Sequence, residues 1–195
     1  MKILILGGSW FIGKHLTKTL AKKNFEIWHF NRGKTPMSEA TLLKGNRFTN
    51  ETDVLCGKKF DVVVDLTCFS AQHFSNTFRY LRGHFKKYIL LSSSSVKSDK
   101  LYGIGKHEAE QVIKRLSNYI IIRPIKVVGQ HDYSNRFCKK NNKWYFRTSN
   151  AQLSRSSYVE VKTLVEKLEN CIMEDKLINK TYLINERIGL MEIYN

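Results

Sequence analysis

A chain of 195 residues with 42% hydrophobic content carries enough apolar material for one well-buried domain and too little length for two full-sized ones. Its 33 lysines and arginines against 17 acidic residues leave a formal charge of +16, which draws phosphorylated ligands or nucleic acid to the surface and constrains partners, not fold. Cys56, Cys68, Cys138 and Cys171 form no CxxC pair and the histidines show no paired ligand spacing, so no metal site is expected and the thiols read as free in a reducing compartment.

The chain opens on a continuous aliphatic run at 2–6 (KILIL), the pattern of a strand covered on both faces. It ends at Gly7, far short of the roughly 18 apolar residues that span a bilayer, and no small-residue cleavage site follows; a cytoplasmic protein without membrane association is expected. Gly7-Gly8-Ser9-Trp10-Phe11-Ile12-Gly13 comes next and opens a helix marked by Phe11, Ile12, Leu16 and Leu20. Gly7 suits a tight turn and Gly13 lets the helix approach the strand, while free N–H groups at the helix start suit a pyrophosphate.

A second strand at 26–30 runs into Asn31-Arg32-Gly33-Lys34, where an NAD-binding fold places an acid against the ribose 2′-hydroxyl. No acid stands there. Arg32 and Lys34 suit a 2′-phosphate, which favours NADP with NAD as the alternative; two solvated turn cations are the bland reading. Residues 61–66 (DVVVDL) form another strand, and Cys68 just beyond reads as a buried thiol, not a nucleophile. Phe74, Phe78 and Leu81 mark a helix before the strand at 87–91 (KYILL).

That strand ends in Ser92-Ser93-Ser94-Ser95, followed by Tyr102-Gly-Ile-Gly-Lys106 at the start of a helix carried by Ala109, Val112, Ile113 and Leu116. Four residues apart, Tyr102 and Lys106 share a helix face; the ammonium together with an oxidised nicotinamide favours tyrosinate, so Tyr102 can exchange a proton with a substrate hydroxyl or carbonyl. A surface tyrosine lying on a lysine stem is the alternative. After a strand at 119–123 (YIIIR), residues 132–157 read as an irregular, exposed insertion. Within it Trp144, Tyr145 and Phe146 interleave with Lys139, Lys140, Lys143 and Arg147, which fits a single-stranded nucleic-acid surface, a lid over the site or a solvated loop. A helix at 160–174 and a strand at 181–184 complete the pattern.

Alternating strands and helices imply right-handed βαβ units and an α/β Rossmann-type doubly wound parallel sheet. One domain over 1–195 is expected, with a dinucleotide-binding core at 1–130 and a reduced substrate-side portion at 131–195.

GGSWFIG resembles the GGxGFIG or GGTxFIG turn of the extended and atypical short-chain dehydrogenases/reductases, the NAD(P)-dependent epimerase/dehydratase family, with Trp10 in place of the middle glycine. Arg123, Pro124, Gly129 and Asp132 are similar to the family's RPxxxxGxxD segment, and Asp65-Leu66-Thr67-Cys68-Phe69 resembles atypical members that include chloroplast stem-loop RNA-binding proteins. The likeness spans about residues 1–136, with SYVEVKTLVEKL a looser echo. It implies Tyr102 as acid/base, Ser93 or Ser94 holding the substrate oxygen and Lys106 on the nicotinamide ribose. It further implies cofactor contacts from Gly7, Ser9, Trp10, Phe11, Ile12, Gly13, Asn31, Arg32, Lys34, Leu66, Thr67, Pro124, Ile125 and Val127. The implied activity is that of an oxidoreductase or epimerase/dehydratase acting on a nucleotide-linked sugar, in a homodimer. The rival expectation is a non-catalytic Rossmann scaffold holding RNA or a protein partner on its basic surface.

Overall fold

The structure is a computed structural model and describes residues 1–49, 51–132 and 134–193. The chain runs β1 (Lys2–Leu6), α1 (Phe11–Ala21), β2 (Glu26–Asn31), β3 (Thr41–Lys44), β4 (Val62–Asp65), α2 (Ala71–Leu81), β5 (Lys87–Leu91), α3 (Leu101–Ile113), β6 (Tyr119–Pro124) and β7 (Lys126–Val128). It continues through β8 (Phe137–Lys140), β9 (Lys143–Phe146), β10 (Tyr158–Glu160), α4 (Val161–Met173), β11 (Lys180–Asn185) and β12 (Gly189–Glu192). The main sheet has the order β12-β11-β6-β5-β4-β1-β2-β3, parallel throughout except for the antiparallel β12 edge. This is a Rossmann-type doubly wound sheet, with its switch of direction between β1 and β4.

The strand sequences dictate two cores because successive side chains point to opposite faces. Ile3, Ile5, Val62, Val64, Ile89 and Ile122 pack under α1 and α4, whereas Leu4, Leu6, Val63, Leu90 and Ile121 pack under α2 and α3. Lys87, at the start of β5, is buried and donates its three ammonium protons toward the carbonyls of Cys171, Ile172 and Glu174, capping the last turn of α4 with a cation where the helix dipole favours one. Arg123 on β6 and Glu110 on α3 form a second buried contact, with Nε donating to Oε1 at 2.9 Å.

The expected strands and helices all occur, with ends shifted by a residue or so. The expectation of an irregular, exposed insertion at 132–157 is overturned in part: most of its described residues are exposed, but it is neither wholly irregular nor without a core. β8 and β9 pair as an antiparallel hairpin, and Phe137, Trp144 and Leu153 are buried with Val128 and Tyr158 in a third apolar cluster. No helix among the described residues is long and apolar enough to cross a membrane.

Candidate nucleotide-binding and active site

All candidate residues that meet do so beyond the carboxyl ends of β1, β2, β3, β4 and β5, where an open α/β sheet leaves a crevice. The turn after β1 is built on contacts that exclude side chains. Gly7 has φ +93, a region open to glycine, and a Cβ on Gly13 would stand 2.4 Å from the Gly7 carbonyl oxygen. Those glycines therefore bring the start of α1 directly against the turn. His29 on β2 supports it from below, with Nε2 at 2.8 Å from Thr17 Oγ1, and burial pushes its imidazole down to about 4, so it is a neutral strut at physiological pH.

A cavity of about 250 Å³ opens beside this turn. It gathers Gly7, Ser9 and Trp10 from the glycine turn, Asn31, Arg32 and Lys34 from the end of β2, and Thr67 from the end of β4. Phe30, Thr35, Gly45, Asn46, Arg47 and Phe48 complete its lining. Asn31 joins two walls: Nδ2 donates to Ser9 Oγ at 2.9 Å, and Oδ1 accepts the Gly33 N–H at 2.8 Å.

The floor is a buried charge network. Arg47 donates to both oxygens of Asp65 at 2.7 and 2.9 Å, to the His73 carbonyl and to Thr77 Oγ1. Tyr88 donates its hydroxyl to Asp65 at 2.6 Å and the Thr67 N–H adds a bond at 3.0 Å. Burial pushes the Asp65 carboxyl up, but the Arg47 guanidinium and these donors outweigh it and hold the group below its ordinary range.

A second cluster forms where β5 meets α3. Helical glycines are disfavoured, yet here they have a packing reason. A Cβ on Gly105 would lie 2.2 Å from the Phe69 carbonyl oxygen, and one on Gly103 would lie 2.3 Å from that of Ser95. The helix therefore sits against both segments, bringing Tyr102 and Lys106 to the serine turn. Tyr102 is half-exposed; burial raises its phenol, while Ser93 and then the charge of Arg136 oppose that rise. Ser93 Oγ accepts the Ser95 N–H at 3.1 Å, which leaves its own proton to donate, whereas Ser94 lies exposed in the following turn. Lys106 is 2% exposed, donates to the Leu91 carbonyl at 2.8 Å and is pushed down to about 8 by burial. Its Nζ lies 5.9 Å from the Tyr102 ring centroid, so it is a neighbour of the tyrosine anchored from beneath.

An aromatic run joins the two clusters: Phe48 meets His73 at 4.3 Å between centroids, His73 meets Phe69 at 6.1 Å, and Phe69 meets Tyr102 at 6.2 Å. Other expected contact residues lie outside the cavity lining. Phe11, Ile12, Leu66 and Val127 turn their side chains into the core under α1 and α4. Pro124, which ends β6, and Ile125, whose N–H bonds to the Ile184 carbonyl, are not among the residues that line this cavity. The aromatic-cation surface expected at 139–147 is also changed: Trp144 is buried and donates its Nε1 to Glu160 at 2.8 Å, so it is no platform for a base. Thr35, Arg47 and Arg136 were missed from sequence; only Thr35, one residue past the chosen turn, had a local signal.

The fold is shared with solved short-chain dehydrogenases/reductases, epimerases and dehydratases. A short-chain dehydrogenase/reductase from Veillonella parvula DSM 2008 in complex with NADP superimposes with a TM-score of 0.70 at 16% identity, covering 97% of this chain and 96% of that one. A dTDP-glucose 4,6-dehydratase from Bacillus anthracis str. Ames in complex with NAD gives 0.71 at 14% identity, covering 100% and 77%. By sequence, the chain is 30% identical over 166 residues to the chloroplast stem-loop binding protein of 41 kDa b of Arabidopsis thaliana, covering 68% of this chain and 44% of that protein. The chain thus spans less than half the length of that curated relative. No protein-family model matches it.

Proposed function

We propose that this chain is an NADP-dependent oxidoreductase or epimerase/dehydratase acting on a hydroxyl or keto group of a nucleotide-linked sugar, with Tyr102 as its acid/base. The observation that carries this reading is the joining, at one end of the sheet, of a cation-rimmed cavity behind the glycine turn and a Ser93–Tyr102–Lys106 cluster. The residues fit a dinucleotide: Gly7 and Gly13 keep the turn bare of Cβ atoms, and Arg32 and Lys34 stand where a 2′-phosphate would lie. A bound nicotinamide supplies hydride acceptance and donation.

The chain's own residues supply the rest. Ser93 donates to the substrate oxygen, Tyr102 gives or takes its proton, and Arg136 lowers the electrostatic cost of the phenolate. Lys106 offers its ammonium from below. The similarity to a dTDP-glucose dehydratase supports a nucleotide-sugar substrate, and the +16 charge suits its phosphates.

Tyr102→Phe tests the assignment because it removes one oxygen from a half-exposed side chain. NADPH binding, followed by nicotinamide fluorescence, is expected to persist, while redox turnover across a panel of nucleotide sugars is lost. Equal turnover by the variant would refute the mechanism.

A second reading, an RNA-binding scaffold, draws on the stem-loop-binding name of the relative and on the charge. Affinity for a stem-loop RNA that falls steeply between 50 and 200 mM salt, as roughly 10³–10⁵-fold for 6–10 phosphate contacts, together with no nucleotide binding, would favour it.

A further inference from the structure

At Trp10 the chain departs from a bare glycine turn, and the structure gives the indole a specific partner. Trp10 Nε1 donates to Thr35 Oγ1 at 2.6 Å across the rim of the cavity. An indole N–H only donates, so the Thr35 oxygen is the acceptor and its own hydroxyl proton is left for another acceptor. The same logic holds across the rim, where Ser9 Oγ accepts from Asn31 Nδ2 and keeps its proton to give. The amide orientation is fixed because the Asn31 oxygen is taken by the Gly33 N–H.

Arg32 and Lys34 line the same cavity, and neither forms an ion pair among the described residues. Two cations and two hydroxyls that each already accept one hydrogen bond and keep a proton to give make a rim rich in donors. Such a rim matches an oxyanion with several acceptor oxygens better than a neutral ribose, whose hydroxyls must also donate.

We propose that Trp10 is a positioning residue that fixes Thr35 as a hydrogen-bond donor, and that Thr35, Ser9, Arg32 and Lys34 together select a phosphomonoester, the 2′-phosphate of the bound nucleotide. The proposal rests on the NADP reading above and gives the tryptophan a role in it. Gly33, at φ +72 between the two cations, lets the loop turn so that Thr35 comes back to the indole.

The test compares 2′,5′-ADP with 5′-ADP by calorimetry, because their affinity ratio isolates the 2′-phosphate. Wild-type protein is expected to prefer 2′,5′-ADP. Thr35→Val and Trp10→Phe are each expected to lower that ratio roughly tenfold, the loss of one charge-assisted hydrogen bond, while Thr35→Ser retains it. Adding W10F to T35V is expected to change nothing further, because the tryptophan acts through the threonine; a merely structural tryptophan would give additive losses. Both positions are exposed, and thermal melts check that the variants fold. An unchanged ratio in T35V and W10F, with a ratio that falls in Arg32→Ala/Lys34→Ala, overturns the Thr35 assignment and leaves the NADP reading standing. Wild-type protein that binds neither nucleotide overturns both.

Discussion

Replacing Arg47 by methionine keeps the length of the side chain and removes the only guanidinium facing Asp65 in the described structure. In the native protein both partners are buried, at 3% and 0% exposure, and the carboxylate receives two charged donors, one phenol and one backbone N–H. The variant leaves a buried carboxylate with the phenol and the N–H alone, and it also strips a donor from the His73 carbonyl and Thr77. Breaking one side of a buried pair costs about 3–5 kcal/mol, because the remaining charge is left without compensation. That figure is expected from urea unfolding at pH 7 with an unchanged m-value.

The pH dependence separates this cause from lost packing. Asp65 has a lowered pKa in the native state, so its stabilisation is present above the ordinary carboxyl value of 3.8 and is lost as pH falls through the lower folded value. Without Arg47, burial is opposed only by the Tyr88 phenol and the Thr67 N–H, and the Asp65 pKa rises. The variant's deficit should therefore shrink as pH is lowered toward 4 and Asp65 takes up a proton, and Arg47→Met/Asp65→Asn should recover much of it. A deficit under about 1 kcal/mol, or one of equal size at pH 7 and pH 4.5, would refute the electrostatic account.

Two further outcomes follow from the second cluster. Lys106 is held near 8 by burial, below its free value of 10.5, so its charge is a destabilising feature that is fully present below pH 8 and relieved as pH rises to 10.5. Wild-type stability relative to Lys106→Met should climb by up to about 3 kcal/mol across that window in chemical denaturation, and parallel curves would refute the burial argument. Arg136→Gln removes the cation that acts on Tyr102, so the phenol should titrate at higher pH than in wild-type protein, read as the ultraviolet difference against a Tyr102→Phe partner in each background. An unmoved titration would remove Arg136 from the site.

The doubly wound sheet was legible because its central strands are written as aliphatic runs that need no tertiary context: KILIL, VVVD and YIII are buried on both faces and say so. β3 was not legible. Its four residues TLLK sit at the sheet edge, with one side chain buried, so no periodicity develops over so short a span. The β8–β9 hairpin hid behind its lysines, although it carried a readable mark. Asn141 and Asn142 stand between the two strands with φ of 46 and 58, the paired positive values that a two-residue hairpin turn of the primed kind requires and that asparagine accepts.

The site divides along the same line. The placement of Gly7, Gly13 and the Tyr102–Lys106 pair was legible in sequence because turn and helix fix it within a few residues. Arg47 and Arg136 were not, because a lysine or arginine in so basic a chain reads first as surface charge, and only the fold reveals that Arg47 turns inward and that the exposed Arg136 acts on Tyr102. Arg47, Lys87, Lys106 and Arg123 are all buried, and each meets carboxylate or carbonyl oxygens contributed by another element. These four cations tie the segment after β3 to β4 and α2, β5 to α4, α3 to β5, and β6 to α3. Two of them, Arg47 and Lys106, lie directly beneath the cavity and the tyrosine. Their cost in desolvation is spent where the backbone segments that carry Thr67, Ser93 and Tyr102 must hold their positions, which is why the charge of this chain informs both its ligand and the rigidity of the floor on which that ligand would rest.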